Sequence, residues 1–174
     1  MKGKQIILLV LLVAGVAAIV LSLRQGRTKK PSVVGLYAPD FHVTDFRTGK
    51  TIRSADFKGK VVFVNFWASW CSPCKEEMPS VDALYDEMRN NKDFVMITIL
   101  YRDTPVNAVS YMKSKGYDFP VYSDPRGTSA GNFGVTGVPE TYVIDKNGVL
   151  QKKMIGPDDW TSPEERQFIS SLLR

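Results

Sequence analysis

The sequence predicts an α/β domain with a central mixed sheet flanked by helices, extended at its N-terminus by a β-hairpin and a single membrane-spanning helix. Three observations carry this. Two apolar runs without polar alternation, Val61–Trp67 and Phe94–Leu100, are each followed by a segment of helical spacing. That order implies parallel strands, buried on both faces and joined by right-handed crossovers. A late Asn147-Gly148 turn folds two further strands back antiparallel, which makes the sheet mixed. Residues 6–23 form an apolar stretch just long enough to cross a bilayer as a helix.

The chain divides into a short basic tail (1–5), the membrane anchor (6–23), a linker (24–34) and one domain (35–174). A cleavable signal peptide would have a shorter apolar region ending at a small-residue site, and Val16-Ala17-Ala18 is followed by more apolar residues instead. Basic residues after the span outnumber those before it, so a literal positive-inside count places the domain in the cytoplasm. A short basic head, an apolar helix and a large following domain read instead as a signal anchor. The expectation is a single-pass protein of a bacterial inner membrane, with its domain on the periplasmic or extracytoplasmic side.

The formal charge of +5 resides at that anchor. Six of the 23 Lys and Arg residues fall within the first thirty positions, where there is no acid, leaving seventeen against eighteen acids afterwards. No basic stripe remains to argue for nucleic acid.

Within the domain, the alternation from Pro39 to Asp45, a turn at Thr48-Gly49-Lys50 and Thr51-Ile52 read as a hairpin. Ser54 is a candidate cap for a short turn ending at Phe57. After Val61–Trp67, apolar Val81, Leu84, Tyr85 and Met88 recur at helical spacing with Pro79 inside the pattern, which predicts a kink. Phe94–Leu100 is the second strand; Thr104 and Pro105 open a helix that Gly116 closes. Phe119 to Tyr122 reads as a short strand, 124–133 as a connection with a brief helix, and Thr141–Asp145 and Val149–Ile155 as the closing hairpin. In the last helix Ser162 caps, Pro163 takes the first position and Glu165 completes a capping box.

The two cysteines of the chain, Cys71 and Cys74, directly follow the first strand. A helix beginning there puts Cys71 at its positive end, exposed and favoured as thiolate, with Cys74 shielded one turn inside and close enough to form a disulfide. A structural zinc site needs four ligands, and only His42 joins the two sulfurs; no metal site is expected. A purely structural disulfide would close too short a loop to stabilise much. Redox chemistry is the reading, with no cofactor beyond the Cys71–Cys74 disulfide itself.

A strand ending in Trp70-Cys71-Ser72-Pro73-Cys74-Lys75, a helix interrupted by Pro79 and a later Gly137-Val138-Pro139 before a strand resemble the thioredoxin-like fold, from about Gly35 to the C-terminus. The opening Ala38-Pro39-Asp40-Phe41, the stretch Asn65 to Cys71, and Val138-Pro139-Glu140-Thr141 resemble more narrowly the membrane-anchored TlpA/ResA/CcmG group of cytochrome c biogenesis. The resemblance implies a cis peptide bond before Pro139, facing the cysteines, with the Val138 backbone pairing to a substrate strand. Where generic thioredoxins bury an aspartate, this chain has Asn65, which takes no proton. Glu77, one turn after Cys74 and matching the group's Cys-x-x-Cys-x-x-Glu pattern, is the candidate acid–base. Glu140 is a second candidate for tuning or substrate contact, and Trp70 is expected to border the substrate groove. Trp67, Glu76 and His42 read as packing, solvated and structural residues.

The implied activity is that of a thiol–disulfide oxidoreductase acting mainly as a reductase. Its substrates would be disulfides of exported proteins, such as apocytochrome c Cys-x-x-Cys-His, and a membrane-bound thiol donor would re-reduce it. Two rivals fit less well. A peroxiredoxin places threonine three residues before its reactive cysteine, where this chain has Ala68; a copper chaperone calls for wider cysteine spacing and a nearby histidine.

Overall fold

The computed structural model describes residues 3, 5, 7, 9–16 and 32–174. The described residues between 3 and 16 are helical; half of the expected anchor (6–23) and most of the linker (24–34) lie outside the described residues. Among the described residues no helix is long and apolar enough to cross a membrane.

The strands are β1 (His42–Asp45), β2 (Thr51–Arg53), β3 (Val61–Trp67), β4 (Phe94–Leu100), β5 (Val121–Ser123), β6 (Glu140–Ile144) and β7 (Leu150–Ile155). The helices are α1 (Ser72–Met88), α2 (Pro105–Lys115), α3 (Thr128–Phe133) and α4 (Pro163–Leu173). One seven-stranded sheet has the order β2-β1-β5-β4-β3-β6-β7. β3, β4 and β5 run parallel, and the remaining pairs are antiparallel, so the expected mixed sheet and N-terminal hairpin are both present.

Every residue of β3 is buried, because helices cover one face and loops with α3 cover the other. Val61, Phe63 and Trp67 share a core with Cys74, Met78, Val81 and Leu84 of α1 and with Ile169 of α4. Val62, Val64 and Phe66 pack on the opposite face with Phe133 and Tyr142. Each large apolar side chain so buried is worth roughly 1.5–3 kcal/mol relative to exposure. The alternation of β3 therefore assigns odd positions to the side of the cysteines and even positions to the other.

Local signals placed most boundaries. Thr104 accepts the Asn107 N–H to open α2, and Gly116 ends it in the left-handed region at φ 75°, where a side chain would be strained. α1 runs through Pro79. Three details differ from the sequence reading. Ser54 lies inside a 3-10 turn (Ser54–Phe57) rather than capping it, and Asp56 accepts the Arg53 N–H there. Strand β5 begins at Val121 rather than Phe119, since Pro120 has no N–H for the ladder. Ser162 does accept the Glu165 N–H, but the box stays half formed: the Ser162 N–H goes to the Asp159 carbonyl, and the Glu165 carboxylate pairs with Lys152.

Candidate active site

Strand β3 carries the chain to the edge of the core, and four residues later Cys71 becomes the N-cap of α1. The first turn of a helix has N–H groups without helical partners, and one of them, that of Cys74, closes on the Cys71 sulfur. The Cys74 N–H points at Cys71 Sγ over 3.1 Å and the Lys75 N–H donates to the Cys71 carbonyl. In the reduced protein the same donor and the helix dipole stabilise a thiolate on Cys71. Here the two sulfurs are joined in a disulfide, with Cα atoms 5.3 Å apart. Cys74 is fully buried; Cys71 is only 5% exposed, not open to solvent as expected, and its sulfur lies 3.4 Å from the Val138 carbonyl oxygen.

That carbonyl belongs to a cis Val138–Pro139 peptide. Trp70, by contrast, is 58% exposed, and beyond it an open cleft of about 750 Å3 lies between Arg102–Pro105 and Asp124–Val135. Cys71, Trp70, Val138 and Pro139 are thus gathered at one end of the sheet. Glu140 is not with them. It shares a sheet face with Tyr142, opposite to Cys74, and is 2% exposed. Its carboxylate accepts the Tyr142 hydroxyl (2.5 Å) and the Thr136 N–H (3.2 Å), with Lys153 at 3.6 Å. The expected substrate contact for its side chain is corrected to a buried bond that pins the loop before Pro139.

Glu77 lies where the helical spacing put it, buried to 1% exposure in the core of the cysteines. Its Oε1 accepts the Trp160 indole N–H at 2.7 Å, and its Oε2 accepts the Asn65 amide N–H at 3.1 Å. Burial outweighs both bonds and the favourable Asp158 backbone and lifts its pKa to about 7, so the carboxyl exchanges its proton near neutrality. Glu76 is exposed; His42 is exposed on β1; Trp67 packs against Phe119 and Tyr111.

Sequence reasoning missed three participants. Trp160 comes from the loop before α4 and bears no local mark of its partner. Asp103 accepts the Ser69 N–H (2.6 Å) and the Thr104 N–H (2.7 Å), tying the redox loop to the start of α2. Arg102 adopts a left-handed φ of 50° and offers its carbonyl to the Trp70 indole N–H at 3.1 Å. Pairing of Trp67 with Leu100 sets the residues after each strand side by side, so Asp103 was within reach of a register argument.

Comparison with known proteins agrees with this geometry. A model described as the AhpC/TSA family matches residues 34–153. The thiol-disulfide oxidoreductase ResA of Bacillus thuringiensis (strain Al Hakam) is 35% identical over 152 residues, 86% of each chain. The ResA of Geobacillus thermodenitrificans is 33% identical over 146 residues, covering 83% of this chain and 82% of that one. The crystal structure of a thiol:disulfide interchange protein of the thioredoxin family from Chlorobium tepidum TLS superposes with a TM-score of 0.68 at 28% identity. It covers 80% of this chain and 97% of the other.

Proposed function

The chain belongs to the AhpC/TSA family and is a thiol–disulfide oxidoreductase of thioredoxin-like fold, and from that premise we propose that it works mainly as a reductase of disulfides in exported proteins. The observation that carries the exchange chemistry is the pairing of an N-capping Cys71 with a buried acid, Glu77, whose proton exchanges near neutrality; the reductase direction rests on the resemblance to the TlpA/ResA/CcmG group. In the reduced protein the Cys71 thiolate attacks a substrate disulfide, forming a mixed disulfide and releasing one substrate thiolate. Glu77 takes the proton of the Cys74 thiol, Cys74 attacks Cys71 Sγ, and the second substrate sulfur leaves. Two electrons pass to the substrate, and a membrane-bound dithiol donor restores the pair.

Apocytochrome c Cys-x-x-Cys-His disulfides are the proposed substrates. Residues 6–23 are proposed to hold the protein in a bacterial inner membrane with the domain on the extracytoplasmic side. Their apolar run between basic flanks supports that reading. The test has two parts. The purified, reduced chain is expected to reduce an oxidised Cys-x-x-Cys-His peptide and to consume no hydrogen peroxide at a comparable rate; the reverse preference defeats the reductase reading. In intact cells, Cys71 of the reduced protein is expected to react with a membrane-impermeant maleimide, and protection until lysis defeats the location.

A further inference from the structure

Asn65 is fully buried, yet its amide is only half satisfied. Its nitrogen donates to Glu77 Oε2 (3.1 Å) and to Thr141 Oγ1 (2.8 Å), while its Oδ1 has no partner among the described residues. A buried carbonyl without a donor is costly, and the neighbours suggest why it is kept. Glu77 as an anion needs donors on both oxygens; as an acid, one of its oxygens becomes a donor itself. Trp160 supplies only an N–H and holds Oε1, so the proton of the neutral acid belongs on Oε2, the oxygen that faces Asn65.

We propose that Asn65 is a positioning residue whose amide inverts with the protonation state of Glu77, giving a donor to the carboxylate and an acceptor to the acid. With Glu77 ionised, the amide nitrogen serves Oε2 and Thr141 as observed. With Glu77 protonated, a half-turn about χ2 brings Oδ1 to the same place, where it accepts from the Glu77 O–H and the Thr141 O–H. The amide oxygen and nitrogen are nearly equal in size, and a threonine hydroxyl both donates and accepts, so the exchange needs no extra room. One amide atom lacks a partner in either state, and the count of hydrogen bonds favours neither. An aspartate in place of Asn65 could not do this, because it would add a second ionisable carboxyl beside the first.

The inference rests on the reading of Glu77 as the group that takes the Cys74 proton. In that step the proton leaves Cys74 for Glu77 Oε2, the Cys71–Cys74 bond forms, the Cys71–substrate bond breaks, and Asn65 turns to hold the new O–H. The other groups facing Glu77 are Cys74 on its own helix and Asp158 on the loop before α4; the Asp158 backbone favours the anion and its side-chain charge opposes it.

The experiment uses the full oxidised chain in detergent micelles, with carboxyl-labelled glutamate and 15N-labelled asparagine, followed by NMR from about pH 5 to 9. The Asn65 amide resonances are expected to titrate with the midpoint of the Glu77 carboxyl and to become flat in Glu77→Gln. Trp160→Phe removes a fixed donor and is expected to raise the Glu77 midpoint by about one unit, the size of a lost charge-assisted bond. Asn65→Leu removes partners from both forms and is expected to raise it clearly less. Flat Asn65 resonances in the native chain, or equal shifts in the two variants, overturn the inversion. Separately, if the pH profile of Cys74 attack is unchanged in Glu77→Gln, the premise about Glu77 fails and its link to catalysis goes with it.

Discussion

The Trp160 indole nitrogen sits 2.7 Å from Glu77 Oε1, across 83 residues of sequence. The loop before α4 thereby reaches into the core beneath the dithiol, and Trp160 also packs edge-on against Phe63 of β3 with ring centroids 4.8 Å apart. One side chain joins the C-terminal segment to the acid carried by the redox helix. Trp160→Phe keeps most of that packing and removes the donor. The pH profile of thiol reactivity in the reduced protein is expected to move upward in this variant, and an unmoved profile would separate Trp160 from the chemistry.

Glu77 links stability to pH. Its pKa rises from 4.5 to about 7 on folding, so the folded chain holds a proton in that interval that the unfolded chain has released. Stability from this group is full below about pH 4.5 and falls as pH climbs to about 7, by roughly 3 kcal/mol. Denaturant unfolding of the oxidised protein at several pH values is expected to show this decline relative to Glu77→Gln. Parallel curves for the two proteins would contradict it.

The sulfurs have unequal roles. Cys74→Ser leaves Cys71 with its helix-end N–H donor and no resolving partner, so mixed disulfides accumulate on Cys71. Cys71→Ser leaves only the fully buried Cys74 and is expected to trap almost nothing. Gel shifts under non-reducing conditions read both; equal trapping would contradict the assigned roles.

Asp103 holds two backbone N–H groups with one carboxylate, 2.6 Å from the Ser69 nitrogen and 2.7 Å from that of Thr104. Asp103→Ala is expected to lower stability by about 1–3 kcal/mol and to change the alkylation rate of Cys71 in the reduced protein. Asp103→Asn, which keeps one acceptor oxygen, is expected to fall between the two. A loss of stability with an unchanged alkylation rate would leave Asp103 as a clamp on α2 alone.

Glu140→Ala removes the shared partner of the Tyr142 hydroxyl, the Thr136 N–H and Lys153. The expected cost is about 3 kcal/mol, most of it from buried groups left unpaired. A drop below about 1 kcal/mol on chemical denaturation would show that the bond to the loop before Pro139 is dispensable.

Signals carried within a few residues were legible in the sequence. The dithiol at a strand–helix junction, Thr104 and Ser162 as caps, Pro105 and Pro163 at first helical positions, and the Asn147-Gly148 turn all act over one turn of chain, where local sterics and hydrogen bonds decide. Glu77 was found for the same reason, being one helical turn from Cys74. Residues joined across the sheet were not legible. Glu140 and Thr141 are neighbours in sequence, yet pairing of Asn65 with Thr141 turns Thr141 toward Glu77 and Glu140 to the opposite face. A shift of one residue would exchange them. The sequence by itself thus determined the chemistry of the pair and the helix that activates Cys71. Only the tertiary structure decided which groups surround Glu77, because strand register and the docking of the Trp160 loop arise from packing over the whole domain.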